Sequence, residues 1–192
     1  MDCFAIIGLG NPGKKYFGTR HNIGTWIVDE FAKLKGVNFA PFASYPCDYC
    51  DFVSGKTKIY LLKPTNYMNH SGYRLNEILD SLNCDVDSTL VVHDDISFSV
   101  GKLKISRAIG NGGHNGVASV SNAIGSNFTR LRLGIGSRPN ACEDLANHVL
   151  SEFHESELKM FDQKKSYFIE IIEDLVKYGS VYAMNTYNSK HI

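Results

Sequence analysis

The stretch from Gly8 to Gly24 constrains this chain more than any other. It reads Gly-Leu-Gly-Asn-Pro-Gly-Lys-Lys-Tyr-Phe-Gly-Thr-Arg-His-Asn-Ile-Gly. The apolar run Phe4-Ala5-Ile6-Ile7 feeds into it, and an amphipathic run from Ile23 to Leu34 leaves it. The spacing predicts a strand, a loop and a helix. Open α/β sheets hold ligands beyond the carboxyl ends of their strands, so this loop, with Asn11, Arg20, His21 and Asn22, is where chemistry is expected. Gly8, Gly10 and Gly13 also fit the G-x-G-x-x-G pattern of a dinucleotide site. That pattern needs its third glycine to open a helix, and an acid at the end of a second strand roughly 20 residues on. Here Pro12, Gly13, Gly18 and Gly24 keep the backbone irregular, and Asp29 and Glu30 fall inside the predicted helix, which argues against a dinucleotide.

The later segments repeat the alternation of strand and helix. Val37 to Pro46 reads as a connection with a short strand, and Cys47–Ser54 and Thr57–Leu62 as a hairpin turning at Gly55-Lys56. Cys47 and Cys50 have metal-ligand spacing, but on a strand they face opposite sides, so both are expected to be structural. Lys63 to Gly72 resembles a strand-to-helix loop in which Asn69 or Ser71 could cap a helix running to about Leu82. Thr89 to Asp95 is an apolar strand ending in His93-Asp94-Asp95, and Lys102 to Ser106 is a half-buried strand. Gly110 to Gly116 is a flexible loop entering the helix Val117–Ile124, where Asn115 is placed either to cap the helix or to serve a ligand. Phe128 to Ile135 is another strand, with Arg130 and Arg132 on one face. Gly136 to Asn140 is a loop. His154 to Tyr178 is a long amphipathic helix stopped by Gly179, with Val181 to Tyr187 a short final one. The prediction is one α/β domain over residues 1–192: a mixed central sheet flanked by helices on both faces.

Composition narrows the setting. The chain has 192 residues, 43% of them hydrophobic, enough for a core of its own. No apolar stretch approaches the ~18 residues of a membrane span, and the start lacks a basic region followed by an apolar one. Cys3, Cys47, Cys50, Cys84 and Cys142 are an odd, scattered set, which predicts reduced thiols and a cytoplasmic protein. Formal net charge is zero, yet Lys102, Lys104, Arg107, Arg130, Arg132 and Arg138 share a stretch without an acid. A local field of that kind steers an anionic partner.

The chemistry-bearing residues Asn11, His21, Asn69, Asp94, His114 and Asn115 sit in separate loops. They comprise a carboxylate, two imidazoles and several amides. No serine lies in a G-x-S-x-G setting, and no metal-ligand spacing stands out. An Asp that fixes a His tautomer, a His that takes a proton from water, and amides that grip a carbonyl are what hydrolysis of an acyl bond requires. From residues alone, the reading stops at a metal-free hydrolase of an anionic or nucleic-acid-linked substrate.

Several of these stretches together resemble one family. Gly8-Leu9-Gly10-Asn11-Pro12-Gly13, Tyr16 and Thr19-Arg20-His21-Asn22 closely resemble the signature of bacterial-type peptidyl-tRNA hydrolases. Lys63-Pro64 with Met68-Asn69-x-Ser71-Gly72, His93-Asp94-Asp95, Gly112-Gly113-His114-Asn115-Gly116 and Arg130 to Gly136 resemble that family's later motifs, in family order. The resemblance implies a monomeric, cofactor-free and metal-free enzyme that cleaves the ester between a peptide and the terminal ribose of tRNA. It implies that His21 activates water, that Asp94 orients His21, and that Asn11 and Asn69 bind the peptide main chain. Asn115 would hold the water or oxyanion, His114 would lie near the tRNA-facing side, and Tyr16 and Met68 would line the peptide cleft. Asn22 would support them. Lys102, Lys104, Arg107 and Arg132 would bind tRNA phosphates. The partner implied is peptidyl-tRNA, with no membrane.

Two positions depart from the family pattern. Ser106 stands where a basic residue is common, in a Ser106-Arg107-Ala108-Ile109-Gly110 stretch that replaces a glycine-rich run, and Ser97 stands where an acid often occurs. On a strand, Arg107 faces away from Ser106 and cannot simply replace it. The alternative is a non-catalytic RNA-binding relative, which would be expected to lose one of His21, Asp94 or Asn115.

Overall fold

The structure, a computed structural model, describes residues 2–107, 110–138 and 144–189. The expected reduced thiol of Cys142 and the end of the expected loop at Pro139-Asn140 lie outside these residues. Strand β1 (Asp2–Gly8) is central. Around it stand β2 (Ala40–Pro41), β3 (Cys47–Ser54), β4 (Thr57–Pro64), β5 (Thr89–Asp95), β6 (Leu103–Arg107) and β7 (Thr129–Gly134), in the order β2-β3-β4-β1-β5-β7-β6. The β4-β1-β5-β7 centre is parallel, while β2, β3 and β6 run antiparallel to their neighbours at the two edges. This is the mixed sheet expected.

Helices α1 (Ile23–Lys35) and α5 (Glu155–Tyr187) cover one face, where Ile27, Phe31, Phe168 and Ile172 pack on Ile6, Leu90 and Leu131. Helices α2 (Leu75–Ser81) and α3 (Asn115–Ile124) cover the other, where Leu75, Ile78, Val117 and Val120 pack on Ala5, Ile7 and Val91. Alternate residues of each central strand therefore enter opposite cores, as a period of two demands. Cys47 and Cys50 do the same, one in each core. Burial pushes their thiols up to about 12 and about 11, so neither is a reactive thiolate.

The chain leaves β1 for β4 on one side and comes back to β5 on the other. The carboxyl ends of β1 and β5 thus form the crevice at which α/β sheets bind ligands. Helix α1 packs close to that crevice because residue 24 is glycine: a Cβ there would lie 2.3 Å from the Val92 carbonyl oxygen.

Three expectations are corrected. Cys3 and Cys84 are not free thiols; their sulfurs are joined as a disulfide, with Cα atoms 5.5 Å apart. Their 81-residue separation hides the pairing, which arises because the start of β1 passes the end of α2. Next, no cap from Asn69 or Ser71 starts α2. Met68–His70 forms its own 3-10 turn, Ser71 Oγ donates back to the Met68 carbonyl, and Arg74 is left-handed at φ 57 before the helix begins at Leu75. Gly72 sits against α3 so closely that a Cβ would lie 2.1 Å from the Ser119 carbonyl oxygen. Finally, Asn115 does not cap α3; the side chain of His114 does. Gly179 interrupts the last helix as expected, at φ 84, and the chain resumes helical form to Tyr187. Asn188 then bonds both the N–H and the carbonyl of Ile105, closing part of the open edge of β6.

Candidate active site

Asp94 ends β5 and is 2% exposed. Its Oδ1 accepts hydrogen bonds of 2.8 Å from His21 Nδ1 and 2.8 Å from His114 Nε2. Burial pushes the Asp94 carboxyl up, but the fields of His114 and His21 and their two hydrogen bonds hold it below the usual carboxylate range. An ionised carboxylate only accepts. His21 Nδ1 therefore carries its hydrogen, and Nε2 presents a lone pair. An imidazole in that state can take a proton from water.

The protons on His114 are fixed independently. Its Nδ1 accepts from the backbone N–H groups of Gly116 and Val117, at 3.1 and 3.2 Å, so its hydrogen must be on Nε2. The ring therefore joins the first turn of α3 to Asp94. The side-chain atoms of His21, Asp94 and His114 lie within 4.8 Å of one another, close enough to surround a cation. The donor set does not fit one. His114 cannot offer Nε2 as a lone pair while its Nδ1 serves two N–H donors.

His93 lies beneath. Its Nδ1 donates to the Asp94 carbonyl oxygen at 2.7 Å, and its ring meets that of His114 at 4.8 Å between centroids. Burial, reinforced by the His114 and Arg130 fields, pushes its pKa down to about 3. It is a neutral ring that buttresses the strand end.

The loop after β1 builds the opposite wall. Asn22 spends both ends of its amide on Asn11, accepting from the Asn11 N–H at 2.8 Å and donating to the Asn11 carbonyl at 2.9 Å. It is buried, lies outside the lining of the cavity and sets the loop. Asn11 Oδ1 in turn accepts the Met68 N–H at 2.8 Å. That assigns the flip of the Asn11 amide and leaves only its NH₂ for the cavity. Asn11 can donate to a carbonyl or oxyanion but has no free acceptor. Arg20, beside His21, forms a two-pronged pair with Glu157 at 2.7 and 3.0 Å and donates to the Ile135 carbonyl. It ties the His21 turn to the start of α5.

These walls enclose a cavity of about 500 Å³, in the range of small-ligand sites. Asn11, His21, Met68, Asn69, Asp94, His114 and Asn115 all line it. Tyr16 stands behind Tyr67, their rings edge to face at 6.3 Å, and it is Tyr67 that lines the cavity. The far rim is helix α4 (Leu145–Leu150), with Leu145, Val149 and Leu150 turned to the opening. Sequence reading missed α4 and Tyr67, because apolar residues without a polar motif carry no local sign that they face a cavity.

Residues 5–192 match the model of the family described as peptidyl-tRNA hydrolase. The chain belongs to the peptidyl-tRNA hydrolase family. It is 39% identical over 158 residues to a peptidyl-tRNA hydrolase of Rickettsia bellii (strain RML369-C), covering 82% of this chain and 85% of that protein. A peptidyl-tRNA hydrolase of Rickettsia canadensis (strain McKiel) matches equally, 39% over 158 residues and the same shares of each chain. Among solved structures, peptidyl-tRNA hydrolase from Acinetobacter baumannii superposes with a TM-score of 0.90 at 30% identity, over 97% of this chain and 95% of that one. The chain is accordingly a hydrolase, and its α/β fold is that of these peptidyl-tRNA hydrolases.

Within this peptidyl-tRNA hydrolase fold, the predicted phosphate residues divide. Lys102 and Lys104 are exposed, and among the described residues no acidic group pairs with either. Arg132 is bound to Asp95 at 2.6 Å, and Asp95 also accepts the Ser97 N–H. Arg107 pairs with Asp87 at 2.7 Å on the side away from Ser106. Among the described residues no helix is long and apolar enough to cross a membrane.

Proposed function

We propose that this chain hydrolyses the ester joining the carboxyl end of a peptide, or of an N-blocked amino acid, to the terminal ribose of tRNA. The observation that carries the reading is the His21–Asp94 hydrogen bond of 2.8 Å, which leaves His21 Nε2 as a free base at an amide-lined cavity. In the proposed step, His21 Nε2 takes a proton from water as the water oxygen attacks the ester carbonyl. Asp94 stabilises the imidazolium that forms. The NH₂ groups of Asn11 and Asn115 face the oxygen on which charge develops, and Asn69 holds the adjoining main chain. The imidazolium then returns its proton to the departing ribose oxygen. Peptides vary in side chain, so recognition through main-chain groups suits an enzyme that must accept them all. Met68, Tyr67 and the apolar rim of α4 offer surface to those side chains without selecting among them. The protein acts as a monomer in the cytoplasm and needs no metal.

The test is release of labelled N-acetylated amino acid from its tRNA, with EDTA present. Release by the wild type and its near-abolition in His21→Ala is the expected result. Binding of the tRNA without release would instead favour an RNA-binding protein of the same fold.

A further inference from the structure

The catalytic cavity does not end at Tyr67. That ring also borders a second hollow of about 420 Å³, lined by Pro12, Thr65 and Tyr73. A third hollow, of about 410 Å³, shares Pro12 and Thr65 with the second. Asn11 borders both the first and the third. The three therefore abut one another around the Asn11-Pro12 turn, as one trough leading away from His21.

Its walls carry uncovered aromatic rings. Tyr67 is 56% exposed and Tyr73 60%, and Phe17, on the third hollow, is 72% exposed, more than any other large apolar side chain among the described residues. Phe17 is held there by the fold. It follows the 3-10 turn Lys14–Tyr16, where Thr19 Oγ1 donates to the Tyr16 carbonyl at 2.8 Å and the Tyr16 ring rests edge to face on Tyr67. A ring already fixed loses little entropy when it is covered, which is why aromatic residues gather at binding surfaces.

The far end of the trough is charged. Lys63 of β4 is directly opposite Asp48 of β3, and its ammonium bonds Asp29 of α1 at 2.6 Å. All three residues line the third hollow. Two carboxylates thus share one ammonium, and Asp48 has no ion-pair partner among the described residues. A floor with net negative charge repels a phosphate chain and suits an ammonium or guanidinium group. A trough that opens from the site of acyl cleavage, has apolar walls and ends in a carboxylate matches a peptide and not RNA.

We propose that this trough is a subsite for the peptide residues upstream of the ester, in which Phe17 covers their apolar side chains and Asp48 pairs with a cationic one at the far end. This rests on the function proposed above and deepens it: the residue beside the ester is held through its main chain, while those further back are read by length and side chain. A hollow of this volume is about 7 Å across, or roughly two extended residues, so a peptide of about six residues fills all three. Contacts this far from the ester bind ground state and transition state alike, and so lower KM without changing kcat.

The test compares N-acetyl-alanyl-tRNA with N-acetylated peptidyl-tRNAs that end in the same alanine and are lengthened upstream, with leucine or lysine at the far position. The readout is kcat/KM relative to the short substrate in wild type, Phe17→Ser and Asp48→Asn. Wild type should gain about tenfold with length, through KM, and level off near six residues; burial of about 55 Å² of apolar surface suffices for that. Phe17→Ser should lose most of the gain with either far residue. Asp48→Asn should lose only the preference for lysine over leucine, about threefold for an exposed ion pair. A wild-type rate that ignores length overturns the proposal, as does full retention of the gain in Phe17→Ser. An equal rise of KM on short and long substrates in Phe17→Ser, with a flatter salt slope, would assign the trough to RNA and overturn it too. Should wild type cleave no tRNA ester at all, the functional reading fails, and the trough is judged by Trp26, the single tryptophan of the chain, which lines the third hollow. Its fluorescence is then titrated with free N-acetylated peptide of the same length: a saturable change weakened in Phe17→Ser upholds the subsite, and no change removes it.

Discussion

The carboxyl ends of β1 and β5 and the outer strands β6 and β7 handle polar groups in opposite ways. At the first, the protein itself assigns the protons around Asp94 and in the Asn11 loop. Asp94 receives two imidazole hydrogens, His114 is locked by two backbone N–H groups, and Asn11 and Asn22 hold each other. At the second, Ser106 Oγ has no partner among the described residues, and Lys102 and Lys104 are exposed while Arg132 and Arg107 are tied to Asp95 and Asp87. A centre that performs chemistry gains from preorganisation, because donors already in place cost no reorganisation in the transition state. A binding face gains from the reverse, since groups left unsatisfied are those a ligand can satisfy. Variants of the first region should therefore act on kcat, and variants of the second on KM and salt dependence.

The largest effect should come from Asp94→Asn. The amide oxygen can still accept a hydrogen bond, but the charge that supports an imidazolium on His21 is lost. We expect kcat to fall by about 10²–10⁴-fold, the usual worth of general-base catalysis, with KM little changed. A change confined to KM would erase the contrast between the regions. The pH profile sharpens it. The Asp94 carboxyl is held below its ordinary range by the two histidines, so what it lends to folding is in place above that range and fades only as pH falls through the lowered value. The acid limb of kcat/KM should then report an imidazole and not Asp94. A limb that disappears in Asp94→Asn while the rate survives would contradict this.

His114 should give a smaller effect that divides in two. His114→Ala removes both the α3 cap and one donor to Asp94. Loss of a cap costs about 1 kcal/mol, seen as a lower melting temperature, and the rate should fall less than in Asp94→Asn. His114→Asn restores a good cap but not the longer reach to Asp94. Melting should recover while the rate stays low. If both recover, His114 serves α3 alone.

How much of this was legible in the sequence follows the same division. The strand, loop and helix around Gly8 to Gly24 were readable because each local signal agreed with the fold. So was the pairing of His21 with Asp94, since the resemblance puts both in family motifs: Asp94 near the end of β5 and His21 in the turn that leads into α1. The role of His114 was not. A histidine side chain capping a helix through Nδ1 has no sequence signature like that of Ser or Asp, and its reach to Asp94 depends on where α3 packs. The Asn22 clamp on Asn11 was hidden because an amide can serve a ligand or the backbone equally well. The Cys3–Cys84 disulfide depends on a contact 81 residues apart. On the outer strands, charge counting overstated the free cations. Asp87 and Asp95 lie outside the acid-free stretch, yet strand pairing brings them to Arg107 and Arg132.

That last point yields the smallest and most discriminating prediction. Lys104 and Arg107 lie on one strand three residues apart and carry the same charge, but Lys104 is exposed without an acidic partner and Arg107 is held by Asp87 at 2.7 Å. A cation free to meet a phosphate releases a counterion when it does so; one already neutralised releases little. Lys104→Gln should therefore flatten the salt slope of KM by about one, while Arg107→Gln should leave it within a few tenths. The two arginine pairings can then be tested against each other by removing the acids. Asp87→Asn should free Arg107 and steepen the slope, if the RNA extends to that side of β6. Equal slopes for Lys104→Gln and Arg107→Gln would mean that the ion pair opens on binding, and that the outer strands are as adjustable as the catalytic centre is fixed.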